Sequence, residues 1–206
     1  MRRTVGILVF DDVEVLDFAG PFEVFAVTDS LNDQALFQTT TMAENAGTVR
    51  ARNGLKVVPE HTLESVPRLD VLVVPGGFGT RPLLRRPALL EWIRQSARRA
   101  EVVVSICTGS LVLGAAGLLE GLGATTHHRA FAELRAAAPT ARVEEGRRFV
   151  DNGAVVTAAG ISAGIDVSLH LVARLAGREV ARRTADYMEY RWLDDAGGDR
   201  SESTPT

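Results

Sequence analysis

The chain has 206 residues, of which 46% are hydrophobic, and this is enough to bury the core of one domain. With 23 Lys and Arg against 26 Asp and Glu, the net charge of -3 provides no basic excess for phosphate-rich partners, so we expect no nucleic-acid ligand. The apolar runs are too short for a signal peptide or a membrane span. The single cysteine fits a reducing compartment. The composition therefore predicts a cytoplasmic protein without a membrane partner.

Short β-branched runs alternate along the chain with amphipathic segments. The first half predicts a strand at 4–10, a helix at 18–31 with Pro21 in its first turn, a strand at 35–43, a hairpin across 48–61 that turns at Asn53-Gly54, a strand at 70–77 and a helix at 87–100. The second half predicts a strand at 101–106, a helix at 109–121, a short strand at 123–126, a helix at 129–138, a hairpin around 151–153 and two helices from about 161 to 191. Residues 194–206 are polar and are expected to form a disordered tail, which leaves 1–193 as a single domain.

Buried strands that alternate with helices predict an α/β fold in which helices sandwich a mostly parallel central sheet. In open sheets of this kind, ligands bind in the crevice outside the carboxyl ends of the strands. Three segments follow directly after predicted strands, and they contain Asp17, the pair Gly76-Gly77, and Cys107. We therefore expect these residues to meet at one edge of the sheet and to form the site of a small-molecule substrate.

Cys107 stands at the end of the apolar run in "VVVSICTGS". A free cysteine in such a run is either a small buried hydrophobic residue or a nucleophile on a tight turn between a strand and a helix. At the start of a helix, unpaired backbone N–H groups and the helix dipole favour a thiolate, and the same groups can hold an anion formed during attack. The turn is similar to the serine elbow of hydrolases, although "SICTGS" lacks the first glycine of that pattern. This position predicts a lowered thiol pKa.

Asp17 lies between Leu16 and Phe18 in an otherwise apolar stretch. It is either the N-cap of the helix that follows or a proton-handling group of the site. In "VPGGFGT", Gly76 and Gly77 allow the backbone to approach a ligand closely and offer amide donors. The segment lacks the lysine of a phosphate-binding loop and the spacing of a dinucleotide fingerprint. No spacing of His, Cys and Asp suggests zinc, so we expect neither a metal nor a cofactor.

Five segments together resemble the ThiJ/PfpI superfamily, which has the flavodoxin-like fold of the class I glutamine amidotransferases. They are "VLDFAGPFEVF", "DVLVVPGGFGT", "VSICTGSLVLGAAGLLEG", "ATTHHRAFAEL" and "GISAGIDVSLHLV", and the likeness runs in order from about residue 4 to about 193. Within the superfamily the chain is most similar to the isocyanide (isonitrile) hydratases, through Asp17 in "LDFAGP" combined with "CTGSLVLGAAGLL" and "GATTH". Many other branches, including glyoxalase, deglycase and protease-like members, have a glutamate in place of Asp17.

The resemblance implies a role for each matching residue. Cys107 would be the nucleophile, Asp17 its acid/base partner, and Thr108 a neighbour of the attacked carbon, with Gly77 and Gly76 as backbone donors to the substrate. The implied reaction is the addition of water to an isocyanide, which gives an N-formamide through a thioimidate on the cysteine. The resemblance also implies a homodimer that needs no cofactor.

Two adjacent histidines occupy a position where some branches place a histidine near the nucleophile. His127 and His128 lie in "ATTHHRAF", which departs from the "ATTHW" of the hydratases because an arginine-led segment replaces the aromatic residue. We interpret His127 as a pocket or structural residue and not as the base.

Other classes of function remain open. The same type of domain forms the sensor half of AraC-type transcription regulators, but the 13 residues after Leu193 leave no room for a helix-turn-helix pair, so we expect no DNA-binding regulator. A stand-alone domain that binds a ligand or senses oxidation through Cys107 is the main alternative. Glyoxalase or amidase chemistry is a third, which the short side chain of Asp17 disfavours.

Overall fold

The computed structural model describes residues 2–193 and has the predicted α/β fold. Its seven helices are α1 Val15–Ser30, α2 Thr80–Leu83, α3 Pro87–Ala97, α4 Gly109–Ala115, α5 Phe131–Ala137, α6 Ala163–Ala176 and α7 Arg178–Tyr187. The strands of the central sheet are β1 Arg3–Leu8, β2 Phe37–Ala43, β5 His61–Thr62, β6 Val71–Val74, β7 Val102–Ile106, β10 Phe149–Asp151 and β11 Val155–Ala158. Two small pairs lie outside it, β3 Val49–Arg50 with β4 Lys56–Val57, and β8 Gly123–Ala124 with β9 Arg142–Val143. The expected tail at 194–206 lies outside the described residues.

The central sheet has the strand order β10-β11-β7-β6-β1-β2-β5. All neighbouring strands are parallel except the β10–β11 hairpin. From β1 the chain continues to β2, toward the β5 edge of the sheet, whereas from β6 it continues to β7, toward the β10 edge. Right-handed crossovers therefore place α1 and α3 on opposite faces of the sheet.

The sheet is buried on both faces because helices cover each of them. Helices α1, α6 and α7 pack against one another, while α4 contacts α2, α3 and α5. The central strand β6 is inaccessible to solvent along its whole length, as the run of valine and leucine in its sequence predicts. Polar groups brought to the carboxyl ends of β6 and β7 therefore enter a water-poor environment.

Helix α1 differs from its predicted form in a way that matters for the site. It begins at Val15 and not near Pro21, which lies inside the helix. Because Pro21 has no N–H, it cannot donate the usual helical hydrogen bond to the carbonyl of Asp17, four residues earlier. The apolar segment before Pro21 already belongs to the first turns. As a result, Asp17 is a helical residue with a side chain that faces the sheet edge.

Other predicted elements differ mainly at their ends. Both predicted hairpins are confirmed, and the first turns at Asn53 and Gly54 with φ values of 61° and 92°. Helix α4 ends at Ala115, earlier than predicted, because Gly117 takes a φ of 74° that ends the helix. The short α2 was not predicted. In residues 2–193, no helix has the length and apolar character needed to cross a bilayer.

Candidate active site

Cys107 lies on a sharp turn between β7 and α4 at the carboxyl edge of the sheet. Its φ of 55° falls in the left-handed region, which few residues other than glycine adopt. The N–H of Cys107 donates to the carbonyls of Ala158 and Ala159 at 3.1 and 3.0 Å. Its carbonyl accepts from the hydroxyls of Thr126 and Ser110 at 2.9 and 3.1 Å. These bonds hold the strained backbone of the turn between strand and helix on which the sequence places Cys107. The residue is 6% exposed.

Two glycines make this turn possible. A Cβ on Gly109 would collide with the carbonyl oxygen of Val74, so only glycine lets α4 start against the end of β6. A Cβ on Gly76 would lie 2.5 Å from the nitrogen of Thr108 and 2.8 Å from the Cβ of Cys107. The loops that follow β6 and β7 are therefore in direct backbone contact.

Asp17 lies in the first turn of α1 and is completely buried. Its Oδ2 accepts a hydrogen bond of 2.9 Å from the N–H of Gly76. Its Oδ1 makes no hydrogen bond of ordinary geometry to the described residues. The N-cap position belongs to Glu14, so the interpretation of Asp17 as the helix cap is wrong. The carboxyl instead lies beside the thiol of Cys107, close enough for each group to shift the pKa of the other.

The two side chains have strongly shifted acidities. Burial raises the pKa of Asp17 to about 7, and the charge of Glu14 adds to this, although the N–H of Gly76 acts in the opposite direction. Burial also raises the pKa of the Cys107 thiol to about 12, with a further contribution from the charge of Asp17. The N–H groups of Thr108 and Ile161 oppose this shift but do not overcome it. The expected lowering of the thiol pKa is therefore wrong, because desolvation and the neighbouring carboxylate outweigh the end of the helix.

The hydrogen bonds of Gly76 and Gly77 bear on their expected role as substrate donors. The N–H of Gly77 donates to Oγ1 of Thr108 at 3.0 Å, and the N–H of Gly76 is used by Asp17. Gly77 adopts a φ of 122°, and a Cβ there would collide with the carbonyl oxygen of Asp12. Both N–H groups therefore donate to side chains of the site and are not available to a ligand. The N–H and the hydroxyl of Thr108 lie close enough to the sulfur to lower the thiol pKa, although the hydroxyl proton is donated to the carbonyl of Gly77 at 3.1 Å.

Ile161 is a site residue that the sequence did not reveal. Its φ of 54° is exceptional for a β-branched residue, and its N–H lies close enough to Asp17 and Cys107 to lower the pKa of both groups. The segment "GISAG" was singled out only as part of the family likeness. No local pattern predicts a positive φ at an isoleucine.

The Cys107 side chain opens into a cleft of about 510 Å3. Thr108 and Gly77 belong to its lining, whereas Asp17 and Gly76 lie behind it. The lining also includes Phe78 and several charged side chains that sequence analysis missed, namely Glu14, Arg52, Arg81, Arg129 and Glu133. They come from separate segments that approach one another only in the folded chain.

The two histidines take different positions. His127 lines the Cys107 cleft, and its Nδ1 accepts a hydrogen bond of 3.2 Å from the N–H of Arg129. Burial lowers the pKa of His127, with smaller contributions from His128 and Arg129. The His128 ring packs against that of His127 at 4.3 Å between centroids, but it lines the adjacent cleft and not that of Cys107. Among residues 2–193, no group of three or more His, Cys, Asp or Glu side chains is arranged to hold a metal ion.

The chain is similar to known proteins over most of its length. The model of the DJ-1/PfpI family matches residues 3–174. The chain is 40% identical over 190 residues to an isonitrile hydratase from Pseudomonas putida, which covers 92% of this chain and 79% of that protein. It is 26% identical to the HTH-type transcriptional regulator GbdR from Pseudomonas aeruginosa, over 91% of this chain but only 51%, about half, of the regulator. A solved ThiJ/PfpI family protein from Pseudomonas syringae superposes with a TM-score of 0.84 at 31% identity, covering 93% of this chain and 76% of that chain. The chain therefore belongs to the DJ-1/PfpI family.

Proposed function

We propose that the protein is an isocyanide hydratase, which adds water to an isocyanide and releases an N-formamide. The observation that carries the proposal is the position of the Cys107 thiol in the lining of a cleft, with the buried carboxyl of Asp17 close behind it. The likeness to an isonitrile hydratase, at 40% identity over most of the chain, supports it. The terminal carbon of an isocyanide is electrophilic but carries no oxygen, so its activation requires a soft nucleophile and a proton donor.

The first step joins the sulfur to the substrate. Because the thiol pKa is raised, the proton of the resting pair lies on Cys107, and the ionised Asp17 is the base that accepts it. As the S–H bond breaks, Sγ forms a bond to the terminal isocyanide carbon. That carbon then takes the proton from the carboxyl of Asp17, which leaves a thioimidate and restores the carboxylate.

The second step releases the product. Water attacks the thioimidate carbon while Asp17 accepts one of its protons and passes it to the nitrogen, which gives the tetrahedral adduct and restores the carboxylate. Collapse of this adduct forms the carbonyl and breaks the C–S bond, while the remaining hydroxyl proton moves to the sulfur, and the N-formamide is released. A carboxyl with a pKa raised to about 7 suits both directions of proton transfer at neutral pH.

A stand-alone sensor domain is the second candidate, and the similarity to the regulator GbdR favours it. Oxidation of a cysteine proceeds through the thiolate, however, and both burial and Asp17 keep Cys107 protonated. The raised thiol pKa thus fits a nucleophile activated on substrate binding better than a sulfur poised for oxidation. We also propose that the protein acts as a homodimer, as the family likeness implies.

The direct test is to incubate the purified protein with an aliphatic and an aromatic isocyanide and to follow N-formamide by mass spectrometry. We expect product with at least one of them, and none with a Cys107→Ala variant. Absence of N-formamide with both compounds, together with selective oxidation of Cys107 by peroxide, would support the sensor instead.

A further inference from the structure

Within residues 2–193, one cationic side chain at the Cys107 cleft has no partner. Nη1 of Arg52 lies 3.2 Å from Oε2 of Glu14. Arg81 binds both carboxylate oxygens of Glu133, at 2.7 and 2.9 Å. The exposed guanidinium of Arg129, by contrast, forms no hydrogen bond or ion pair with any part of the chain that the structure describes, although Arg129 lines the same cleft.

The cleft is consequently positive in a protein that is negative overall. Three arginines face two glutamates there, whereas the whole chain has a net charge of -3. Burial lowers the pKa of His127, with contributions from His128 and Arg129, so the environment of its ring disfavours an added positive charge there. A local excess of positive charge raises the concentration of anions at the mouth of the cleft.

An apolar surface lies beside these charges. The Phe78 side chain is 59% exposed, and the guanidinium carbon of Arg52 lies 4.3 Å from the centre of its ring. Ile161 is 38% exposed in the same cleft. Arg81 is held in place by a bond of 3.0 Å from its Nη1 to the carbonyl of Gly77. The cleft thus offers an apolar wall, two neutralised arginines and one unneutralised arginine.

From this arrangement we propose that the isocyanides on which the protein acts carry a carboxylate, which binds Arg129 while the isocyano carbon lies at Cys107. The inference rests on the proposed hydratase function and adds the substrate class to it. A guanidinium binds a carboxylate through paired N–H donors, and the fixed fork of donors orients the rest of the ligand. Phe78 and Ile161 would contact the apolar body between the two groups.

The test compares acids with their neutral esters. The substrates are isocyanoacetate and 4-isocyanobenzoate, each with its methyl ester, and the readout is kcat/KM for N-formamide release. We expect at least one acid to be preferred over its ester by about tenfold or more, because hydrogen bonds between charged groups contribute more than those between neutral groups. Added NaCl should reduce this preference, because salt screens exposed charges.

Two arginine variants separate the role of Arg129 from general charge. Arg129→Met is expected to reduce the acid-to-ester ratio to about one, and Arg129→Lys to retain part of it. Arg68→Met removes the same charge from an exposed residue ahead of β6, at the amino edge of the sheet, and should leave the ratio as in the wild type. A thermal midpoint for each variant checks that it is folded.

The outcomes distinguish this inference from the proposed function. Hydration of the esters with no preference for either acid overturns the substrate class and leaves the hydratase function standing. A preference that survives in Arg129→Met overturns the assignment of the carboxylate to Arg129. Hydration of none of the four compounds overturns this inference, and it overturns the proposed function as well if the aliphatic and aromatic isocyanides of the direct test also give no N-formamide.

Discussion

At the scale of the single residue, the chemistry depends on one sulfur atom. Cys107→Ser replaces the sulfur with a poor nucleophile of similar shape, so we expect N-formamide formation to fall to background. The thermal midpoint should change little, because the turn is held by backbone hydrogen bonds that serine keeps. Turnover by folded Cys107→Ser near the wild-type rate would contradict the nucleophile assignment.

The pH dependence of the reaction reports on Asp17. If the ionised carboxyl removes the thiol proton, kcat/KM falls about tenfold for each pH unit below the Asp17 pKa, which is raised to about 7. Asp17→Asn keeps the size and can still accept from the N–H of Gly76, but it cannot transfer a proton. We expect it to lower kcat by about 10²-fold or more and to abolish this acid limb. A wild-type profile that is flat from pH 5 to 8 would rule out Asp17 as the base.

At the scale of the secondary-structure elements, the site depends on the close contact between the loops after β6 and β7. Gly76→Ala places a Cβ against the backbone nitrogen of Thr108, which cannot move aside as the end of a flexible side chain could. We expect loss of hydration and a thermal midpoint lower by several degrees. Both quantities are measured on the same preparation.

Gly164→Ala is the matched control for that substitution. Gly164 is also buried, but a Cβ in this helix would meet only the Ile106 side chain and Pro21 at 3.4 to 3.5 Å, an ordinary contact. Alanine also favours the helix by up to about 1 kcal/mol relative to glycine. The control should therefore be at least as stable as the wild type. Equal losses in both variants would mean that the contact at Gly76 has no special importance.

At the scale of the whole molecule, the buried Asp17 costs stability. Its folded pKa of about 7 lies above the ordinary value of 3.8, so the folded state binds more protons than the unfolded state between these values. The free energy of unfolding therefore decreases as pH rises through this window, and the cost is complete above about pH 7. We expect Asp17→Asn to be more stable than the wild type at pH 8, by up to about 4 kcal/mol, and to lose this advantage near pH 4. Urea denaturation at both pH values measures it, and a destabilised variant at pH 8 would contradict it.

The proposed homodimer is a second prediction at this scale. Analytical ultracentrifugation at micromolar concentration should give twice the mass of one chain. Because Cys107 is the only cysteine in the sequence and is buried, the association should persist under reducing conditions. A single species with the mass of one chain would exclude the dimer.

Local patterns in the sequence were sufficient for the order of most elements, the mostly parallel sheet and the edge of the sheet at which Cys107 lies. The apolar run before Cys107 predicts a buried strand, and such strands end at one edge when helices alternate with them. The same rule places Asp17 and the glycines of "VPGGFGT" near the cysteine. These conclusions need only hydrophobic periodicity and turn residues, both of which act within a few positions along the chain.

The tertiary structure decided the properties that depend on contacts between distant segments. The thiol pKa is raised because Cys107 is desolvated and meets Asp17, 90 positions earlier in the sequence, and neither effect is visible in "SICTGS". The N–H groups of Gly76 and Gly77 donate to side chains from other segments. The position of Arg129 in the Cys107 cleft likewise follows only from the folded chain. Desolvation and electrostatic interaction depend on distance in space, and only the folded chain sets those distances.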